Sequence, residues 1–134
     1  MSTQNWGIVR DCMRTDVTKV DGRLDVLSAL KIMKKVSATS LIVERRNEND
    51  EYGMLLFSDV AKEVIAKDRA PERINVYEIM AKPLLTVRPN MDIRYCARLF
   101  ENFDISHAPV VEEDEIVGMV SFYLLVLQGL PNLD

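Results

Sequence analysis

The sequence contains few of the residue types on which catalytic and metal sites depend. Its 134 residues include one histidine, two cysteines and five glycines. Cys12 and Cys96 lie among apolar neighbours and lack Cys-x-x-Cys or Cys/His spacing, which predicts buried free thiols rather than a disulfide or a zinc site. No phosphate-binding or dinucleotide-binding glycine pattern occurs, and one histidine supplies no nucleophile-base-orienter set. We therefore predict a protein that is not an enzyme and requires no cofactor.

Long apolar runs and basic clusters are also missing. No segment approaches the ~18 continuous apolar residues of a membrane span, and the first residues lack the pattern of a signal peptide. Lys and Arg total 17 against 21 Asp and Glu, which gives a net charge of -4. Such a chain repels phosphate backbones on average. We expect a cytoplasmic protein that binds neither nucleic acid nor membrane.

What the sequence does contain is an internal repeat. With 48% hydrophobic and 28% charged residues, the chain has the composition of a folded soluble domain, or of two small interdependent halves. At an offset of 67 positions, five residues of the first half recur in the second: Val9, Met13, Val20, Asp25 and Val43 match Val76, Met80, Val87, Asp92 and Val110. After a charged loop at 44–51 the offset falls to 65, where Gly53, Met54 and Phe57 match Gly118, Met119 and Phe122.

Each copy has the same predicted order of elements. Asp25 and Asp92 are placed to cap amphipathic helices, and β-branched runs at 40–43 and 108–111 form hairpins with 52–57 and 116–120. A further helix begins near Ser58 in the first copy and near Ser121 in the second. The predicted fold class is α/β (α+β), with two β-α-β-β-α repeats at 1–66 and 76–134. Residues 67–75, polar and interrupted by Pro71, are predicted as the linker.

Three strings of the second copy, 80–89 (MAKPLLTVRP), 105–111 (ISHAPVV) and 116–121 (IVGMVS), resemble the cystathionine β-synthase (CBS) domain. The first copy matches more loosely, through 38–43 (ATSLIV) and 53–59 (GMLLFSD), and has Ser40-Leu-Ile where the family has His-x-Pro. Over nearly its whole length the chain resembles a tandem CBS pair, also called a Bateman module. The resemblance implies that the two repeats pack about a pseudo-twofold axis. It also implies two clefts for adenosine-bearing ligands such as AMP, ADP, ATP or S-adenosylmethionine.

The family's ribose-binding pattern, Gly-x-x-Thr/Ser-x-x-Asp, is split between the copies. The first copy keeps Asp59 but has Leu56 at the hydroxyl position, whereas the second keeps Ser121 but has Leu124 at the carboxylate position. A carboxylate can accept bonds from both ribose hydroxyls, so the cleft that holds Asp59 is favoured. The resemblance implies that its ligand-binding residues are Ser58, Asp59, Met80, Leu85, Ile105, Ser106, His107, Ala108 and Pro109. The second, weaker cleft would contain Met13, Thr18, Ala38, Thr39 and Ser121.

Structural roles compete with these assignments. Asp59 is also placed to cap a helix, and Pro109 to fix the entry of a strand. Met80 and Leu85 are equally typical of a core. Lys82 and Arg88, which flank these apolar residues in the sequence, have the character of solvated charges.

Two hypotheses of function stay open at this point. In the first, the chain is a stand-alone regulatory module that binds an adenosine-containing ligand and signals in trans to an effector protein. In the second, it is a ligand-free interaction or dimerisation scaffold with vestigial clefts. The final predicted helix, 122–129 (FYLLVLQG), is apolar on nearly every side. Together with the amphipathic segment 60–66, it predicts a homodimer through the terminal helices.

Overall fold

The computed structural model describes residues 6–83 and 85–131, and it divides the chain into two compact units. The central unit is Thr18–Pro83. The terminal unit combines Met1–Val17 with Leu84–Asp134. The compact units therefore cut the chain at different positions from the sequence repeats, because the start of the chain belongs with the second copy.

The central unit contains a three-stranded sheet. Strands β1 (Lys19–Val20) and β2 (Ser40–Val43) are parallel, and β3 (Gly53–Leu56) pairs antiparallel with β2. Helix α1 (Val26–Val36) connects β1 to β2, and α2 (Phe57–Val60) continues into a π-helical turn, Ala61–Ile65. A 3-10 turn at Pro71–Arg73 and the short helix α3 (Val76–Ile79) complete the unit.

Helix α1 begins where its sequence predicts. The Asp25 carboxylate accepts the backbone N–H of Ser28 at 2.9 Å, which caps the first turn. Ser37 adopts the left-handed conformation at the other end, with φ of 55°. Between these ends, Val26, Ala29 and Met33 recur at helical spacing and are buried in the core of the central unit.

The terminal unit repeats most of this arrangement. A 3-10 turn at Val9–Asp11 precedes α4 (Ile93–Phe103), the hairpin of β4 (His107–Glu112) and β5 (Glu115–Ser121), and α5 (Phe122–Gly129). Its core packs around Phe100 and includes both cysteine side chains. Among residues 6–83 and 85–131, no helix is long and apolar enough to cross a membrane.

The first predicted strand of the second copy is reduced to a single bridge, in which Val87 pairs parallel with Val110. In the central unit, the N–H of Ile42 donates to the carbonyl of Thr18 at 2.9 Å and extends the β1–β2 ladder. Pro109 occupies the position that corresponds to Ile42 and has no N–H. The ladder therefore has one bond fewer in the terminal unit, and a regular strand does not form there.

Residues near the start of each repeat hydrogen-bond to the segment just before the long helix of the same unit. The N–H of Val76 donates to Leu24 at 2.8 Å, and the N–H of Val9, at the corresponding position, donates to Met91 at 2.8 Å. Ile74, at the end of the predicted linker 67–75, is only 2% exposed and belongs to the core of the central unit. The lead-in segments are therefore structural parts of the units rather than free connections.

The two equivalent glycines of the repeat provide a test of this packing. A Cβ atom at Gly118 would lie 2.6 Å from the carbonyl oxygen of Arg14, whereas at Gly53 it would lie 2.6 Å from the movable Sδ of Met80. Gly118→Ala should lower the free energy of unfolding by about 1–3 kcal/mol, because backbone must shift. Gly53→Ala should cost clearly less, because Met80 can change rotamer. Urea denaturation measures both, and equal losses would contradict the packing of Arg14 against Gly118.

Candidate functional site

The residues predicted for the favoured cleft are divided between the two units. Asp59, Ser58 and Met80 belong to the central unit. The rest lie in the terminal unit: Leu85, Ile105, Ser106, His107, Ala108 and Pro109. The residues of the second predicted cleft are divided in the same way, with Thr18, Ala38 and Thr39 in the central unit and Met13 and Ser121 in the terminal unit.

Asp59 caps its own helix. One carboxylate oxygen, Oδ2, accepts the backbone N–H of Leu56 at 2.9 Å, at the point where β3 turns into α2. No residue in the ranges 6–83 and 85–131 donates a hydrogen bond to its second oxygen, Oδ1. The side chain is half-buried, and the neighbouring Ser58 is exposed. The capping role considered from the sequence is therefore present, and it uses one of the two oxygens.

Thr39 and Ser40 lie at the same edge of the central sheet as Asp59. The N–H of Phe57 donates to the carbonyl of Thr39 at 3.3 Å, and Ser40 pairs with Leu56 in the sheet register. Within the unit, the structure thus places Asp59 near Thr39, which the sequence assigned to the other cleft. Ser40 was missed as a candidate, although the offset of 67 sets it opposite His107.

The terminal unit gathers three polar side chains at the start of α5. His107 pairs with Ser121 across β4 and β5, and the Ser106 hydroxyl lies 2.8 Å from Nδ1 of His107. The buried Ser121 Oγ accepts the N–H of Leu124 at 3.2 Å and so caps α5. We call Ser106, His107 and Ser121 the polar cluster. The sequence assigned its members to two different clefts, and the structure brings them together in one unit.

The apolar residues predicted for the favoured cleft are mostly part of the two cores. Ala108 and Pro109 are buried within β4, which agrees with a structural role for the proline. Leu85 and Ile105 are half-buried against the core of the terminal unit. Met80 is half-buried in the central unit, beside Gly53.

The thiols are poor candidates for chemistry. Burial raises the pKa of Cys12 to about 11 and that of Cys96 to about 12, and both side chains are buried. Because the thiolate is the nucleophile and metal ligand, such groups are inert near neutral pH. In the part of the chain that the structure describes, no three His, Cys, Asp or Glu side chains form a group able to hold a metal ion.

Both copies of the repeat match the model of one protein family, the CBS domain, at residues 9–66 and 76–125. The chain belongs to the CBS-domain family. It is a tandem CBS pair, as its sequence predicted. Among curated proteins, it is 27% identical to the CBS domain-containing protein YhcV of Bacillus subtilis over 92% of this chain and 86% of that protein.

Another relative is much longer than this chain. The homoserine O-acetyltransferase of Methanosalsum zhilinae is 31% identical over 84% of this chain, which spans only 22% of that enzyme. That match therefore covers only a part of the larger protein.

Solved structures support the fold. A hexameric CBS-CP12 protein from bloom-forming cyanobacteria has a TM-score of 0.87 and 34% identity, covering 91% of this chain and 70% of its own. The CBS domain pair of protein MJ0100, in complex with 5'-methylthioadenosine and S-adenosyl-L-methionine, has a TM-score of 0.75. Its identity is 21%, with 91% of this chain and 94% of that chain covered, so this likeness concerns the fold alone.

The state of the thiols can be measured directly. In native protein at neutral pH, Cys12 and Cys96 should react with a disulfide reagent such as DTNB at less than about one hundredth of the rate of a small free thiol, because both are buried and protonated. Both should react at once in denaturant. Rapid labelling of the native protein would contradict the burial of these side chains.

Proposed function

We propose that this CBS pair is a regulatory module that binds an adenosine-containing ligand and acts on an effector protein in trans. AMP, ADP, ATP and S-adenosylmethionine are the candidate ligands. The observation that carries the proposal is the geometry of Asp59, whose Oδ2 is occupied by the Leu56 N–H while Oδ1 is left to accept a ribose hydroxyl. The MJ0100 pair, whose structure contains two adenosine compounds, supports the ligand class by analogy of fold.

The polar cluster supplies complementary chemistry. Hydroxyl and imidazole groups at the start of α5 can bind the phosphate or other polar end of such a ligand, and the helix N-terminus favours negative charge. We propose Asp59 as the ribose residue of the favoured cleft, with Ser58, Met80, Leu85 and Ile105 to Pro109 as further ligand-binding residues. Ala108 and Pro109 are buried within β4, so they would shape the wall of the cleft rather than offer polar groups.

Ligand binding alone does not make a regulator. A ligand shifts an equilibrium between two arrangements only by the difference between its affinities for them. The proposed signal therefore requires that the ligand bind one arrangement of the module more tightly, and that the effector protein distinguish the two. We further propose that the CBS pair itself catalyses no reaction, since the titratable groups at Asp59 and in the polar cluster cap helices and pair with neighbours.

A specific observation favours a second function, that of an assembly scaffold. Helix α5 and the residue after it expose five large apolar side chains: Phe122, Tyr123, Val126, Leu127 and Leu130. The hexameric CBS-CP12 protein shows that a similar chain assembles. A homodimer through α5 would use this surface without any small molecule. In the central unit, Phe57 and Ile65 are exposed as well.

A thermal-shift screen distinguishes the two functions. AMP, ADP, ATP, S-adenosylmethionine, NAD and GTP are added separately to the purified chain at millimolar concentration. A ligand at one hundred times its dissociation constant stabilises the folded state by about 2.7 kcal/mol and raises the melting temperature. We expect a selective rise with one adenosine compound. A flat response to all six would leave the scaffold as the better account.

Substitution of Asp59 then tests the site. Asp59→Asn keeps an oxygen that can accept the Leu56 N–H but removes the charge and one acceptor, so affinity for the stabilising ligand should fall at least tenfold with little loss of stability. Asp92→Asn is the matched control, because Asp92 caps α4 in the terminal unit and undergoes the same change of charge. Unchanged affinity in Asp59→Asn would show that the ligand binds elsewhere.

A further inference from the structure

The central unit contains a cavity of about 690 Å³ at the sheet edge opposite Asp59. Gly22 comes shortly after the end of β1, Val43 is the last residue of the parallel strand β2, and both line the cavity. Asp59 follows the end of the antiparallel strand β3 and therefore lies at the opposite end of the sheet. The volume is within the ~300–1,000 Å³ of small-molecule sites. The cavity is thus of useful size, lies within one compact unit, and shares only Met80 with the residues proposed to bind adenosine.

The lining combines an apolar surface with guanidinium groups. Val43 and Met80 provide aliphatic surface, and the ring of Tyr77 is 53% exposed. Arg45 and Arg46 lie on the same lining. The Arg45 guanidinium stands over the Tyr52 ring at 5.3 Å, and it forms no salt bridge with any residue that the structure describes.

Two of the three carboxylates in the lining are neutralised by their own partners, whereas the third, Glu44, is exposed and forms no salt bridge with a described residue. Arg23 makes a two-point contact with Asp21 at 2.9 and 3.1 Å, and these hydrogen bonds lower the pKa of Asp21 to about 2. Asp50 accepts the Arg46 N–H at 3.0 Å and the Lys82 ammonium at 3.1 Å, both of which lower its pKa. Lys82, expected from the sequence to be merely solvated, therefore balances the charge of Asp50. The Arg46 guanidinium stays 86% exposed, with a long 3.4 Å contact to Asp50.

The terminal unit has a salt bridge at the positions equivalent to Tyr77 and Arg45. The Tyr77 N–H donates to Gly22 at 2.9 Å, and the Arg10 N–H donates to Pro89 at 2.8 Å, so Tyr77 and Arg10 occupy equivalent positions. Arg45 is equivalent to Glu112 at the offset of 67. In the terminal unit, Arg10 and Glu112 form a salt bridge of 2.9 Å. Tyr77 and Arg45 cannot form that ion pair, so the guanidinium of Arg45 is not held by a partner at this position.

We propose that the cavity of the central unit binds a small organic anion. An apolar or aromatic body of the ligand packs on Val43, Tyr77 and Met80, and its carboxylate or phosphate pairs with the guanidinium groups of Arg45 and Arg46. Guanidinium groups bind planar and tetrahedral oxyanions through paired N–H donors, and they also stack on aromatic rings. This site goes beyond the proposed function, because none of its residues belongs to the ribose position or to the polar cluster.

The probe for the test is 1-naphthyl phosphate, which joins an aromatic body to a phosphate. It is titrated into the isotope-labelled full chain, and backbone amide shifts are followed by NMR. We expect saturable shifts at Gly22, Arg45, Arg46 and Tyr77. Inorganic phosphate and neutral 1-naphthol, which each supply one half of the probe, should bind at least tenfold more weakly. Shifts centred on Asp59 or on residues 105–107, or spread over α5, would overturn the proposal.

Two sets of variants separate specific binding from general charge attraction. Arg45→Gln with Arg46→Gln should weaken probe binding at least tenfold. Lys34→Gln with Lys35→Gln removes the same charge from exposed positions of α1 in the same unit and should leave binding unchanged. Equal losses in both double variants would overturn the site.

A final variant introduces the salt bridge of the terminal unit at the equivalent positions of the central unit. Tyr77→Arg with Arg45→Glu copies the Arg10 and Glu112 pair into the central unit and should abolish binding of 1-naphthyl phosphate. Since the equivalent pair already exists in this fold, the variant should keep the wild-type amide spectrum outside the cavity. Wild-type affinity in this folded variant would refute the proposed location.

Tyr77→Ala, compared with Tyr95→Ala at an equally exposed tyrosine, gives a second measurement of the aromatic contact.

Discussion

The fold depends on two reciprocal pairs of backbone hydrogen bonds that complete the outer edge of each hairpin. Met54 and Ala81 exchange bonds of 2.7 and 2.9 Å, and Arg14 and Met119 exchange two bonds of 2.9 Å. Each pair joins the last strand of one copy to a residue near the start of the other copy. An unpaired strand edge exposes a row of donors and acceptors, so these bonds satisfy groups that would otherwise need another partner. They also require that the backbone approach Gly118 too closely for a side chain.

The same ends of the strands carry the groups on which ligand chemistry would depend. Asp59 and Ser121 lie where the last strand of a copy turns into its final helix, and each satisfies an N–H at that turn. A capping residue is held in a fixed orientation by its own helix, which suits a binding group because little side-chain freedom is left to lose. Structural and binding roles are therefore compatible at these two positions, and the capping interaction alone does not decide between a sensor and a scaffold.

Much of the secondary structure could be predicted from local signals. Asp25 and Asp92 precede helices with clear apolar periodicity, and both helices begin where these caps predict. The reduction of the second copy's first strand depended on one proline at position 109, whose missing N–H matters only once its pairing partner is known. The packing of residues 9–14 on the second copy was outside the reach of the sequence, because periodicity shows which face of a segment is apolar and not which core receives it. The cavity was missed for a similar reason, since Tyr77 and Arg45 are far apart in sequence and neither forms a recognisable motif.

The distribution of the two cysteines has a consequence for measuring communication inside the chain. Both thiols are buried in the terminal unit, and residues 18–83 contain none. The rate at which the thiols become accessible in native protein therefore reports transient opening of the terminal unit alone. A ligand confined to the central unit can change that rate only through an energetic coupling between the two units. The chain thus carries an internal reporter of the coupling free energy that any regulatory module needs.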